Sequence, residues 1–441
     1  MKGLVALAAA TLVVAGCRDS NAPFSPATPS ISPAAEADTS VILVLRPEFA
    51  PGGQAANQAR AADIARGLGL TPTYTYGTAL FGFAASVPKA RLAAFATDPR
   101  VRFVSEDREV AVFGQSLPTG VDRIQADASS TKSGDGTGSV SVGVAIIDTG
   151  IDLSHPDLNV ATQGKNCSTG PSFNDGNGHG THVSGTVGAK DDGSGVVGVA
   201  PGARLYAVRV LNNVGSGTWS SVACGIDWVT ANAANLGIKV ANMSLGGSGS
   251  DDGNCGKSNN DALHQAVCNS VNKGLTYVVA AGNSNADIAG FVPAAYNEVL
   301  TVTAVADFNG QPGGGAAATC RTGVDDTAAD FSNFTTPTSS DAGHTIAAPG
   351  VCIRSTWKAG GYNTISGTSM ASPHVTGTAA LCIATGKCSG SPSSVISKLR
   401  GDAAAQPGGY GFIGDPRNAI KSGGPRGQTL YYGYLAYTGS Y

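Results

Sequence analysis

The chain has 441 residues, enough for two or three domains at roughly 100–200 residues each. Apolar residues make up 42 %, which allows a large core and excludes wholesale disorder. Charged residues are only 13 % and the formal net charge is −3, so nothing points to nucleic acid as a partner.

Lys2 precedes an apolar run from Leu4 to Ala15, followed by Gly16 and Cys17. The run is shorter than the about 20 residues that span a bilayer. A charged start, a short apolar core and a small-residue exit predict a secretory signal peptide over 1–16. Val14-Ala15-Gly16-Cys17 also resembles a bacterial lipobox, which implies a transient lipid anchor at Cys17; ordinary cleavage nearby is the alternative. Either route implies an extracellular product, with the precursor membrane-anchored in the first case. Residues 17–39 are rich in Pro, Ser, Ala and Thr and read as a flexible linker.

A small α+β unit is expected over 40–115. Its predicted strands are Val41–Leu45, Leu80–Ala85 and Val101–Val104, with helices over Gln54–Gly67 and Lys89–Thr97. Beyond it, 116–441 alternates apolar strands with helices. The strands are Val140–Ile147, Leu205–Leu211, Ile238–Leu245, Leu275–Ala281 and Val299–Val305. The helices are His179–Ala189, Ser220–Ala233, Asp261–Asn272 and Ser369–Ala384. This pattern predicts an α/β fold with a doubly wound, mostly parallel sheet covered on both faces. Sites in such sheets collect at the carboxyl ends of the strands.

Of the nine cysteines, all but Cys17 lie beyond residue 160. An even set in an exported chain reads as disulfides. Eight cysteines allow about 105 pairings; proximity alone suggests Cys382 with Cys388 and Cys255 with Cys268. Zinc-finger spacing is absent from the sequence. The 61 glycines, without a collagen-like period, call for tight turns or close backbone approaches.

Three segments carry candidate chemistry. Asp148 ends an apolar strand, His179 lies in Gly178-His179-Gly180-Thr181-His182, and Ser369 lies in Gly367-Thr368-Ser369-Met370-Ala371-Ser372-Pro373-His374. Singly these could be a turn residue, half of a metal site and a helix cap. A serine hydroxyl is a weak nucleophile that needs a base beside it and a third group to orient that base, and an Asp, a His and a Ser supply all three.

Taken in order, Ile146-Ile147-Asp148-Thr149-Gly150-Ile151-Asp152, Asn177-Gly178-His179-Gly180-Thr181-His182-Val183 and the Ser369 segment resemble the three active-site signatures of the subtilase family. The order Asp, His, Ser is the subtilisin order. The resemblance covers roughly 117–400 and implies a secreted serine endopeptidase with His179 as base, Asp148 as its orienting partner and Ser369 as nucleophile. It also implies Asn283, in Ala280-Ala281-Gly282-Asn283, as the oxyanion-hole amide. Gly215, Ser216 and Gly217 on one side and Ser244, Leu245 and Gly246 on the other match the segments that bracket an extended substrate. Trp219 and Leu245 match positions in an apolar pocket upstream of the cleaved bond. Main-chain recognition of this kind implies broad specificity.

The resemblance further implies a structural calcium site. Asp157 and the Asp192 side chain, with the carbonyls of Lys190, Ser194 and Val196, would supply its oxygens; no catalytic metal is expected. A second calcium site of the proteinase K type is weakened by Thr345, where an aspartate is expected. The 40–115 unit resembles the family's inhibitor-like propeptide, which implies self-cleavage near 112–117 and intramolecular inhibition. Protein or peptide substrates and a monomeric enzyme follow. An inactive peptide-binding module on the same fold is the main alternative, and metal-dependent hydrolysis through His179 and His182 is a third. The 86 residues from Asn283 to Ser369 include a Gly/Ala/Asp-rich insertion over 308–330, whose role the sequence leaves open.

Overall fold

The computed structural model describes residues 38–107, 114–418 and 429–441. The expected signal peptide, the lipobox and nearly all of the linker lie outside them, as does part of the expected cleavage segment. The described residues fall into two compact units, one up to residue 107 and one from residue 114.

In the first unit four strands lie in the order Tyr74–Tyr76, Gly82–Pro88, Asp38–Leu45, Val101–Glu106, all neighbours antiparallel. The helix Gln54–Gly67 has the expected bounds. The expected helix over 89–97 is a 3₁₀ turn, Lys89–Arg91, followed by a short α-helix, Leu92–Ala96. Val41, Leu43 and Leu45 alternate along their strand and share one core with Ile64, Phe83, Phe95 and Val101. Period-two patterning on a sheet backed by helices accounts for this.

The second unit is built on a sheet whose main path runs 165–166, 204–209, 143–148, 238–243, 276–280, 300–306. Neighbours along that path are parallel. Thr345–Pro349 joins Leu300–Ala306 in parallel, and Thr327–Ala328 pairs with the end of that strand antiparallel. The predicted mostly parallel, doubly wound sheet is what forms.

Alternation within the strands divides the core in two. Val144 and Ile146 face a cluster with Val183 and Val187 of the helix His179–Gly188 and with Met370, Val375 and Ala379 of the helix Thr368–Ala384. Ala145 and Ile147 face the other cluster, with Val222, Ile226 and Val229 of the helix Trp219–Leu236 and Leu263 and Val267 of the helix Ala262–Val271. A fully buried isoleucine contributes about 1.5–3 kcal/mol, so this two-sided strand anchors both helical layers.

Four disulfides join Cys167–Cys224, Cys255–Cys268, Cys320–Cys352 and Cys382–Cys388. Both pairs suggested by proximity are among them. The 308–330 insertion folds back around two buried carboxylates: Asp325 accepts the backbone N–H of Phe308 and Ala316, and Asp326 those of Gly313 and Gly314. Asp326 also holds Arg123, which is 1 % exposed and bonds to the carbonyls of Tyr410 and Gly411. The insertion thereby clasps the short helix Thr119–Arg123 to the C-terminal segment. Leu430, Tyr432 and Leu435 pack with Phe334 and Phe412, so the end of the chain completes this unit.

Candidate active site

Strand Gly143–Asp148 delivers Asp148, fully buried, to its carboxyl end. That strand pairs with 204–209 on one side and 238–243 on the other, at the reversal of strand order where crevices form in such sheets. Its carboxylate accepts the Thr149 N–H at 2.7 Å. Gly150 then turns the chain with φ +106, where a Cβ would lie 2.5 Å from the Phe173 carbonyl oxygen; only glycine fits that turn.

His179 opens the helix His179–Gly188, and its Nδ1 lies 2.8 Å from Asp148 Oδ1. Gly180 allows the approach, because a Cβ there would meet the Gly150 carbonyl oxygen at 2.1 Å. The helix start is held by Asp175. Its buried carboxylate accepts the backbone N–H of Asn177, Gly178 and Thr181 and the hydroxyls of Thr149 and Thr181, at 2.6–2.9 Å. Burial disfavours charge on the His179 ring, but Asp148 and, behind it, Asp175 outweigh that and raise its pKa.

His182 has a different fate. It is fully buried, its Nε2 meets the Ile353 carbonyl at 2.9 Å, and burial lowers its pKa to about 3. Among the described residues, no group of three or more His, Cys, Asp or Glu side chains placed to share a metal ion includes His179 or His182.

Ser369 is the second residue of the helix Thr368–Ala384. Pro373 has no N–H to give the carbonyl four residues before it, which is that of Ser369. Ser244 Oγ donates to this carbonyl at 2.8 Å instead. Asn242 positions Ser244 through its Nδ2, and its Oδ1 accepts the Ser372 and Thr376 hydroxyls. The Ser369 hydroxyl donates to the Ser244 carbonyl at 3.2 Å, so in this conformation it is turned toward Ser244.

Above Gly367 two donors converge. A Cβ built on Gly367 would lie 3.5 Å from Asn283 Nδ2 and 3.7 Å from Ser369 N. A glycine there leaves open the space beside both nitrogens.

All six expected substrate-binding residues line one cleft. Gly215, Ser216 and Gly217, with Trp219 and Val222, form one wall, and Ser244, Leu245 and Gly246 the other, around about 800 Å³ that His179 also lines. Trp219 lies against Gly247, where a Cβ would touch its ring at 2.7 Å. Ser369 and Asn283 line an adjoining cavity of about 330 Å³, which shares Leu245, Gly246 and Gly247 with the first.

The expected calcium ligands also come together, with one residue the sequence reading missed. Gln115 Nε2 donates to the carbonyls of Lys190, Ser194 and Val196 at 2.6, 3.3 and 3.2 Å. Its Oε1 and Asp157 Oδ1 are buried without partners. Burial raises the Asp157 carboxyl to about 7, and nearby Asp192 adds to the rise. Three carbonyls, an orphaned amide oxygen and a carboxylate destabilised by burial suit a hard cation, and turning the amide over would present Oε1 to the same point.

The chain matches the subtilase family (Peptidase_S8) over residues 139–413. It belongs to that family. As a subtilase it is 40 % identical over 284 residues to "Alkaline protease" of Alkalihalobacillus alcalophilus and 41 % identical over 267 residues to "Subtilisin Savinase" of Lederbergia lenta. The first match covers 64 % of this chain and 64 % of that relative, the second 60 % and 84 %. Among solved structures it is similar to one described as "Crystal structure of a cold adapted subtilisin-like serine proteinase", with TM-score 0.52 and 30 % identity over 73 % of this chain and 97 % of the other.

Proposed function

We propose that this subtilase is a secreted serine endopeptidase that hydrolyses peptide bonds through an acyl-enzyme on Ser369. The observation that carries the reading is the His179–Asp148 contact at 2.8 Å, with His179 on a cleft that adjoins the cavity lined by Asn283 and Ser369.

Rotation about the Cα–Cβ bond of Ser369 brings its hydroxyl from the Ser244 carbonyl to His179 Nε2. His179 takes the hydroxyl proton as Oγ attacks the scissile carbonyl, and the carbonyl electron pair becomes an oxyanion. Asn283 Nδ2 and the Ser369 N–H donate to that oxyanion. Collapse of the intermediate breaks the C–N bond, and His179 returns the proton to the leaving amine. Water then repeats the sequence on the ester and frees Ser369. Asp148 holds the ring tautomer and stabilises the imidazolium throughout.

The walls at 215–217 and 244–246 bind the substrate main chain as an added strand, which gives broad specificity. A structural calcium ion would be held by Asp157, Asp192, the carbonyls of Lys190, Ser194 and Val196, and Gln115. When bound it supplies cohesion to the 190–196 loop, and it takes no part in the peptide chemistry. The unit that precedes Gln115 acts as an intramolecular inhibitor, which the enzyme removes by a cut that leaves Gln115 with the 190–196 loop. With Cys17 lipidated, the anchor belongs to the part removed, so maturation releases a monomeric enzyme from the membrane. Among the described residues no helix is long and apolar enough to cross a membrane.

N-terminal sequencing tests this. The active protein should begin within 112–115, so that it keeps Gln115, while Ser369→Ala should accumulate uncut. An uncut but fully active enzyme, or a cleaved Ser369→Ala, would contradict self-processing.

A further inference from the structure

Away from the residues so far described, we propose a binding site for a divalent transition-metal ion, zinc by class, formed by His264 Nδ1 and the carboxylates of Asp251 and Asp252. His264 is fully buried in the first turn of the helix Ala262–Val271. Its ring stacks on Tyr296, with centroids 4.0 Å apart and planes at 3°. Nε2 lies 2.9 Å from Glu298 Oε2. A carboxylate only accepts, so that contact puts a proton on Nε2, and in the neutral ring Nδ1 keeps a lone pair.

Nδ1 is buried with no hydrogen-bond partner. It faces Asp251 Oδ1 and Asp252 Oδ1, each at 3.4 Å, and the three atoms lie within 4.8 Å of one another. A lone pair aimed at two carboxylate oxygens is repulsive unless a cation lies between them. A proton would draw one oxygen in to about 2.7–2.9 Å, whereas here two oxygens stand at equal, longer range. Zinc holds nitrogen and oxygen ligands at about 2.0–2.2 Å in a tetrahedron, which sets neighbouring ligand atoms about 3.4 Å apart. Both nitrogen–oxygen distances match the metal.

The surroundings agree. Glu298 on the far nitrogen is the carboxylate that fixes tautomer and ring orientation in metal-binding histidines. Asp252 accepts the backbone N–H of Asn254, Gly256, Ser258 and Asn259 at 2.7–3.3 Å, which favours its ionised form. Asp251 accepts the Gly253 N–H at 2.8 Å and the Asn297 side-chain amide. Cys255 and Cys268, joined in a disulfide beside the cluster, offer no thiolate. An imidazole in the set selects transition metals over calcium, so this site is chemically distinct from the one at Asp157.

The location gives the ion a task. Residues 251 and 252 follow Gly247–Ser248, which pairs with Phe291–Val292, and both pairs line the cavity beside Ser369. Glu298 lies just beyond the second pair. A bound ion would tie the segment that follows the first pair to His264, whose other nitrogen already holds Glu298. The site does not depend on the peptidase reading, and its test uses no activity.

The test is a titration of the full-length Ser369→Ala protein, stripped with a chelator and returned to calcium, with cobalt(II) alone. One equivalent should give the visible ligand-field absorption of a tetrahedral site, and zinc should displace it. Asp251→Asn and His264→Gln should abolish the spectrum, Glu298→Gln should weaken binding about 10- to 100-fold, and Asp157→Asn should leave it unchanged. The Asp251 carboxylate is at the edge of the cluster, so its variant serves where His264→Gln does not fold. No spectrum at millimolar cobalt, or one that survives Asp251→Asn, overturns the proposal and leaves the cluster holding a proton.

Discussion

Asn283 Oδ1 accepts the Thr368 backbone N–H at 2.8 Å and the Thr368 hydroxyl at 2.9 Å, which leaves its amide nitrogen as the atom free to donate to a substrate. The helix that carries the proposed nucleophile, Ser369, thus also orients the proposed second oxyanion donor. Asn283→Ala should lower kcat about 100- to 1,000-fold, the range measured for this type of change in a subtilisin, with little effect on KM. Steady-state kinetics on a peptide amide check this; a change confined to KM would mean that Asn283 binds substrate instead.

The base must be neutral to accept a proton. Burial of the His179 ring opposes its charging, but Asp148 and Asp175 raise its pKa above the ordinary value of about 6.5. Activity should therefore be lost as pH falls through a midpoint above that value. Asp175→Asn removes a negative charge and should shift the midpoint of kcat/KM to lower pH, while the loosened helix start lowers the plateau. An unchanged midpoint would show that Asp175 acts only as a structural cap.

Calcium removal should act on stability and not on the chemical step. A ligand at about 100 times its Kd stabilises the folded state by about 2.7 kcal/mol, so chelation should lower Tm while brief assays keep full kcat. Gln115→Leu should reproduce part of that loss, since its oxygen is one of the orphaned groups at the site. Thermal scans of Ser369→Ala and of the double variant, with and without calcium, separate these effects from self-digestion.

Arg123 Nε lies 3.0 Å from Asp307 Oδ2 and 3.0 Å from Asp326 Oδ1, both pairs buried. Burial already raises the Asp307 carboxyl to about 7. Removing the guanidinium leaves uncompensated buried carboxylates, so Arg123→Ala should cost about 3–5 kcal/mol. Denaturant unfolding in the Ser369→Ala background measures it, and a loss under about 1 kcal/mol would show that the clasp contributes little.

Long apolar strands and the three active-site segments were readable because periodicity and residue type are local. The expected ends of strands erred for a functional reason. The strand expected over 238–245 stops at Met243, since Ser244 and Leu245 leave the sheet to wall the cleft. The strand expected from Val140 begins at Gly143, because the Val140 N–H bonds to the Pro201 carbonyl instead. Thr345–Pro349, a short strand ending in proline, and the serine-rich helix Pro392–Ala404 carry weak patterns and went unrecognised. Gln115, Asp175 and Asn242 were missed because their partners lie elsewhere in the chain or bond through backbone. The Asp four residues before His179 was the one available signal. The 308–330 insertion gave no periodicity, since its organisation rests on Asp325 and Asp326 capturing backbone N–H groups.

The most direct test of the proposed chemistry is peptide mapping after treatment with a fluorophosphonate, which reacts only with an activated serine. A single adduct on Ser369, absent from His179→Ala and unaffected by a zinc chelator, is the predicted result. An unlabelled protein, or an adduct on another residue, would contradict it.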